Sequence, residues 1–189
     1  MKNKWLVGAR LKTLPAAIVP VLVGTAGANR DLLNKSINLN LFVYALLVAL
    51  FLQVGVNYAN DYSDGIKGTD KNRIGPTRLV ASGLADAKSV KRAALFCFLL
   101  AAIFGTLISV ATSYWFLLVG ALSILAAWGY TGGKKPYGYF GLGEIFVFIF
   151  FGLAATTGSY SIQTMHLSWF SIFISFPVGF LACALLAIN

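Results

Sequence analysis

A chain of 189 residues that is 58% hydrophobic and only 11% charged, with a mean hydropathy of +0.78, does not have the composition of a soluble globular domain. Its net charge of +9 invites a nucleic-acid reading, but the basic residues are sorted between alternate loops rather than gathered in a patch, so no nucleic-acid partner is expected. Its two cysteines, Cys97 and Cys183, both lie within apolar runs and read as core residues rather than as a disulfide or a metal pair.

Apolar runs of bilayer-crossing character recur along the chain. In order they are Leu14–Ala28, Leu39–Tyr58, Ala93–Ala111, Tyr114–Tyr130, Phe140–Ile162 and Ser168–Ile188. The first is short, carries Pro15 and Pro20, and lacks a small-residue cleavage pattern, so it is expected as a retained helix. Backbone groups in lipid must be satisfied internally, which leaves helices or a closed barrel. Continuous apolar runs without period-two alternation select helices. The expected fold class is therefore all-α, a polytopic membrane helical bundle with the lipid bilayer as its surroundings, and a single membrane domain over 1–189.

Thirteen of the fifteen lysines and arginines precede the first span or lie between spans two and three or four and five; only Arg30 and Lys35 fall on the other side. The positive-inside rule then places the N-terminus and the loops at 60–92 and 132–139 in the cytoplasm. The 60–92 loop is the only long polar stretch. It is punctuated by Gly65, Gly68, Gly75-Pro76 and Gly83, so it begins as a helix end and becomes irregular, with a short amphipathic helix expected at 85–92. Tyr130-Thr-Gly-Gly-Lys134-Lys135-Pro136 forms a short, glycine-rich basic turn leading to Glu144. Trp5, Tyr114, Trp115, Trp128, Tyr130 and Trp169 fall near span ends, as an interfacial belt does.

The second span ends in Gln53, Asn57, Asn60 and Asp64, spaced four, three and four apart and so on one helix stripe, with Asp61 beside it. Polar groups on an intramembrane face point into a bundle interior or a wet cavity. For Gln53 and Asn57, helix–helix hydrogen bonding explains them equally well. Carboxylates converging in a confined site repel unless a cation intervenes. The donors are oxygen only, with no Cys/His cluster, which disfavours zinc and suits Mg²⁺ held by one or two carboxylates, water and substrate phosphates. Lys67, Arg73 and Arg78 follow closely and are suited to neutralising phosphate. The pattern points to a cytoplasm-facing cavity that grips a diphosphate at its mouth and shelters a lipid chain below. Departure of diphosphate from an allylic prenyl diphosphate fits that layout, with tyrosines such as Tyr62, Tyr130 and Tyr137 near the mouth.

Asn57-Tyr-Ala-Asn60-Asp61-Tyr-Ser-Asp64-Gly-Ile-Lys67-Gly-Thr-Asp70 resembles the first aspartate-rich motif of the UbiA-type intramembrane prenyltransferases. Ala9-Arg10-Leu-Lys12-Thr13-Leu14-Pro15, Arg73-Ile-Gly-Pro76-Thr-Arg78 and the stretch from Tyr130 to Glu144 extend the likeness. Within the family it is nearer to the 1,4-dihydroxy-2-naphthoate polyprenyltransferases of menaquinone synthesis. The resemblance implies that Asn60 and Asp64 bind Mg²⁺–diphosphate with help from Asp61 and Asp70. It implies that Lys67, Arg73 and Arg78 contact phosphate, that Tyr130 and Lys134 form a Tyr-x-x-x-Lys catalytic element, and that Arg10 and Lys12 orient the diphosphate or the acceptor carboxylate. The implied partners are a polyprenyl diphosphate and 1,4-dihydroxy-2-naphthoate, joined with loss of diphosphate and CO₂ to give demethylmenaquinone in the bacterial inner membrane.

The family has about nine spans and a second aspartate-rich motif after the sixth. This chain stops at Asn189, at the end of its sixth apolar run, so it is expected to hold about six of the nine spans and, alone, to be inactive. Two other readings stay open: a transporter, disfavoured because the acids sit at one membrane face rather than the midplane, and prenyl transfer to another aromatic acceptor such as 4-hydroxybenzoate. A CDP-alcohol phosphatidyltransferase is disfavoured because Asp64-Gly65 is followed by Ile-Lys-Gly-Thr.

Overall fold

The computed structural model describes residues 3–32, 36–69 and 76–188. Asp70, Lys71, Arg73 and Gly75 lie outside the described residues, as does Lys35. Every described regular element is helical. α1 (Lys4–Ala9) runs through a 3-10 turn (Leu11–Thr13) into α2 (Pro15–Asp31), the two limbs meeting at 49°. Arg10 breaks the run by taking a left-handed backbone, φ 50°, and Pro15 restarts it at the first helical position, where its missing N–H costs nothing.

α3 (Leu39–Lys67) is the longest helix. Asn38 caps its start, its side chain accepting from Leu41 N at 3.2 Å. Gly68, at φ 73°, closes its end by donating to Asp64 O, with Lys67 in the last turn. The helix therefore carries nine residues past the apolar run that ends at Tyr58, which lifts the Asn60–Asp64 segment onto a rigid rod. α4 (Ala87–Ala111) starts at Asp86, whose side chain accepts from Ser89 N at 2.9 Å. The amphipathic helix expected over 85–92 is not a separate element; it is the first turns of α4, because no breaker separates it from the apolar run.

α5 (Trp115–Gly129) is apolar but only 15 residues long. After a 3-10 turn (Tyr137–Phe140), the next crossing is built from α6 (Gly143–Val147), a π-helical stretch (Phe148–Ala154) and α7 (Ala155–Thr164). α8 (Trp169–Ile188) completes the described chain. Four helical stretches are long and apolar enough to span a bilayer, five if the bent α1–α2 pair counts as one span, and α5 is the shorter sixth. All six expected spans are thus helical, in a multi-pass membrane protein.

Glycines permit the closest crossings. A β-carbon on Gly55 would stand 2.6 Å from the ring of Phe98, where α3 packs on α4. One on Gly24 would run into the carbonyl of Thr156, where α2 meets α7. Gly152 and Gly179 face each other so closely that a β-carbon on the first lies 2.5 Å from the second's Cα. At the end of the bundle away from Asp64, Gln163 accepts from Asn38 N at 2.8 Å and donates to Asn38 O at 3.1 Å, and Tyr160 donates to Asp31.

Candidate active site

The polar stripe of α3 faces a cavity of about 550 Å³. Asn60, Asp64, Asn57 and Gln53 line it from α3, Arg10 and Thr13 from the bent N-terminal limb, Arg78 from the loop, and Tyr130, Thr131, Tyr137 and Tyr139 from the 130–139 segment. Ser123 and Glu144 also line it, and Ala, Leu, Val and Phe side chains make up most of the remaining wall.

Asp61 points away from that chamber and is fully buried. It accepts from Arg10 Nη2, from Arg78 Nη1 at 2.9 Å and, through its other oxygen, from Leu79 N at 3.0 Å. Two guanidinium groups from sequence-distant segments are thereby fixed at the cavity wall by one carboxylate. Removal of a partner from such a group strands a buried charge, which makes the cluster rigid.

Asn60 Oδ1 accepts from the Thr131 hydroxyl at 2.7 Å, and Asp64 Oδ1 accepts from the Tyr139 hydroxyl at 2.5 Å. Lys67 Nζ donates to Thr131 O at 2.6 Å and lies 5.1 Å from the Tyr139 ring centre. The last turns of α3 and the Thr131–Tyr139 segment are therefore clasped together at three points. Deeper, Gln53 Nε2 and Asn57 Nδ2 both reach Thr13 Oγ1, at 3.0 and 3.1 Å, and Asn57 also donates to Ala9 O at 3.0 Å. Tyr137 donates to Ala126 O at 2.9 Å; burial, and then the neighbouring Tyr130, push its phenol above the usual tyrosine range.

The structure brings Asn60, Asp64, Arg10, Arg78 and Tyr130 together on the cavity wall and sets Lys67 beside them. Lys12 and Lys134 are exposed and do not line it. Asp61, expected among the metal ligands, accepts from Arg10, Arg78 and Leu79 N. Among the described residues no three His, Cys, Asp or Glu side chains form a metal cluster. Asn60 and Asp64 offer oxygen donors alone, one carboxylate and one amide, each with lone pairs beyond the one its hydroxyl neighbour uses. That set suits a hard cation that keeps water and takes further ligands from phosphate. Thr13, Thr131 and Tyr139 carried no individual signal in the sequence; each works through a contact far along the chain.

Residues 17–189 match the UbiA prenyltransferase family. The chain belongs to that family. It is 45% identical over 186 residues to a Mycobacterium tuberculosis protein named 1,4-dihydroxy-2-naphthoate octaprenyltransferase, covering 98% of this chain and 63% of the relative. It is 40% identical over 192 residues to the protein of that name from Escherichia coli, covering 98% and 61%. It is also 32% identical over 177 residues to the Bacillus subtilis protein of that name, covering 93% and 56%. This UbiA-family chain thus spans about 60% of the length of the curated relatives it matches.

Proposed function

We propose that the protein transfers a polyprenyl group from polyprenyl diphosphate to 1,4-dihydroxy-2-naphthoate, releasing diphosphate and CO₂ and giving demethylmenaquinol, the two-electron-reduced form of demethylmenaquinone, in the bacterial inner membrane with its N-terminus in the cytoplasm. The observation that carries the reading is the cavity whose wall holds Asn60, Asp64, Arg10 and Arg78 and whose other lining is mostly Ala, Leu, Val and Phe. The relatives' shared name supplies the acceptor.

In this reading Asn60 and Asp64 hold Mg²⁺, with Asp70 assisting, and the ion when bound neutralises charge on the leaving diphosphate. Arg10 and Arg78, pinned by Asp61, and Lys67 and Arg73 bind the phosphate oxygens. The clasp of Thr131 and Tyr139 orients Asn60 and Asp64 before substrate arrives, the preorganisation that makes electrostatic stabilisation effective. Tyr130 presents its ring to the carbon that gains positive character as the C1–oxygen bond breaks. The naphthoate carbon bearing the carboxylate forms the new bond to C1, the diphosphate leaves with the electron pair, and loss of CO₂ returns electrons to the ring. Lys12 and Lys134, exposed here, are assigned to the approach of the anionic substrates rather than to the reacting atoms.

The test is turnover by the purified intact protein with prenyl diphosphate, Mg²⁺ and a panel of aromatic acceptors. Diphosphate release coupled to prenylation of the naphthoate, abolished by EDTA, is the expected result. Preferential prenylation of 4-hydroxybenzoate would replace the acceptor, and solute flux without diphosphate release would favour a transporter.

A further inference from the structure

We propose that Gln53 recognises a phenolic hydroxyl of the aromatic acceptor and so sets the preference for a hydroxylated arene; this rests on the prenyl-transfer reading above. Gln53 lines the cavity and is 7% exposed. The orientation of its amide follows from proton counting. The Thr13 hydroxyl has one proton, which it donates to Arg10 O at 2.9 Å. It can therefore only accept from Gln53, so the nitrogen end of that amide faces Thr13. The opposite end, Oε1, is buried and meets no donor among the described residues. A buried amide oxygen left in that state costs more than its hydrogen bond would return, so it calls for a visiting donor.

The surroundings say which kind. Ala16, Ala17 and Ala49 share the cavity wall with Gln53, small side chains that leave room for a flat ring. Gln53 stands seven residues before Asn60, two turns down the same helix face and about 10 Å along the axis. That is the scale of a substituted bicyclic arene placed below a diphosphate held at Asn60. The amide is planar, so with Nε2 held on Thr13 its Oε1 lies at the opposite edge, where an incoming O–H can donate to it without breaking that bond. An isoprenoid chain offers no such donor; a hydroxyarene does.

The experiment compares the intact wild-type protein with Gln53→Met, which keeps bulk and flexibility while removing the amide. Each is assayed with 1,4-dihydroxy-2-naphthoate and with the two analogues lacking one hydroxyl. For the wild type, the acceptor KM is expected to rise about tenfold when one particular hydroxyl is missing. Gln53→Met should show the same rise with the full acceptor, no further rise with that analogue, and an unchanged KM for prenyl diphosphate. A wild-type KM within twofold across all three acceptors overturns the proposal without needing the variant to fold. A shift of Gln53→Met that falls on prenyl diphosphate, or equally on every acceptor, overturns it too. Wild-type protein that prenylates no acceptor at all sinks the parent reading and this one together, whereas wild-type turnover with an insensitive Gln53 sinks this one alone.

Discussion

Thr131 donates its hydroxyl to Asn60 Oδ1 at 2.7 Å, joining residues 71 positions apart, and its carbonyl receives Lys67 Nζ. One threonine thus orients a proposed metal ligand and anchors the end of the helix that carries it. The site is in that sense built by two segments, and each can be challenged separately.

Asp64→Asn should abolish prenyl transfer while leaving membrane insertion intact. Losing the only acidic side chain that α3 presents to the cavity is expected to lower turnover by at least about a hundredfold. Steady-state assay beside detergent-extracted yield checks it; near-normal turnover removes Asp64 from the metal site.

Asp61→Asn tests a different role. Stranding the Arg10 and Arg78 guanidinium groups around a neutral amide should cost about 3–5 kcal/mol of stability. A lowered unfolding temperature in detergent is expected, together with an unchanged Mg²⁺ half-saturation in whatever activity survives. A shifted half-saturation with normal stability would return Asp61 to the metal ligands.

Tyr139→Phe removes one hydrogen bond to a carboxylate. Turnover is expected to fall about tenfold with little change in unfolding temperature. An unaltered rate would show that Asp64 keeps its orientation without that phenol.

Gly152→Ala places a methyl 2.5 Å from the Gly179 backbone, which cannot swing aside as a side chain could. The expected cost is about 1–3 kcal/mol, read as an earlier thermal transition. A stable variant would mean that the two helices can part without loss.

Tyr137 fixes a pH dependence. Its phenol titrates above the ordinary value in the folded protein, because burial and then Tyr130 disfavour the anion. The unfolded chain therefore ionises first, so this contribution is intact below about pH 10 and is lost as the pH climbs through the folded-state value. Unfolding temperature against alkaline pH should fall less steeply for Tyr137→Phe than for the wild type.

The stripe of Gln53, Asn57, Asn60 and Asp64 was legible from spacing alone, since a helix repeats its face every three to four residues. So were the six apolar runs, because the length of a crossing is set by the bilayer. What escaped was everything fixed by contact across the chain. Asp61 sits one position off the stripe, and that single step turns it from the cavity into the arms of Arg10 and Arg78. Lys134, close in sequence to Tyr130, is turned outward by the glycine-rich bend, while the unremarked Thr131 is buried and the half-exposed Tyr139 still brings its hydroxyl to Asp64. The π-helical stretch inside the fifth crossing also had no sequence cue, for its wide turn suits the Gly152–Gly179 approach rather than any local preference.

That wide turn, Phe148–Ala154, is a local feature. A π-helical stretch holds about one residue more than α-helical winding needs between the same two flanks, so deleting one residue there would restore ordinary winding and leave the aim of α7 nearly unchanged. Tyr160 would keep Asp31 and Gln163 would keep Asn38, and the change would fall on the Gly152–Gly179 approach. Orthologous chains one residue shorter at this place should therefore retain residues 31, 38, 160 and 163 and differ at 152 and 179.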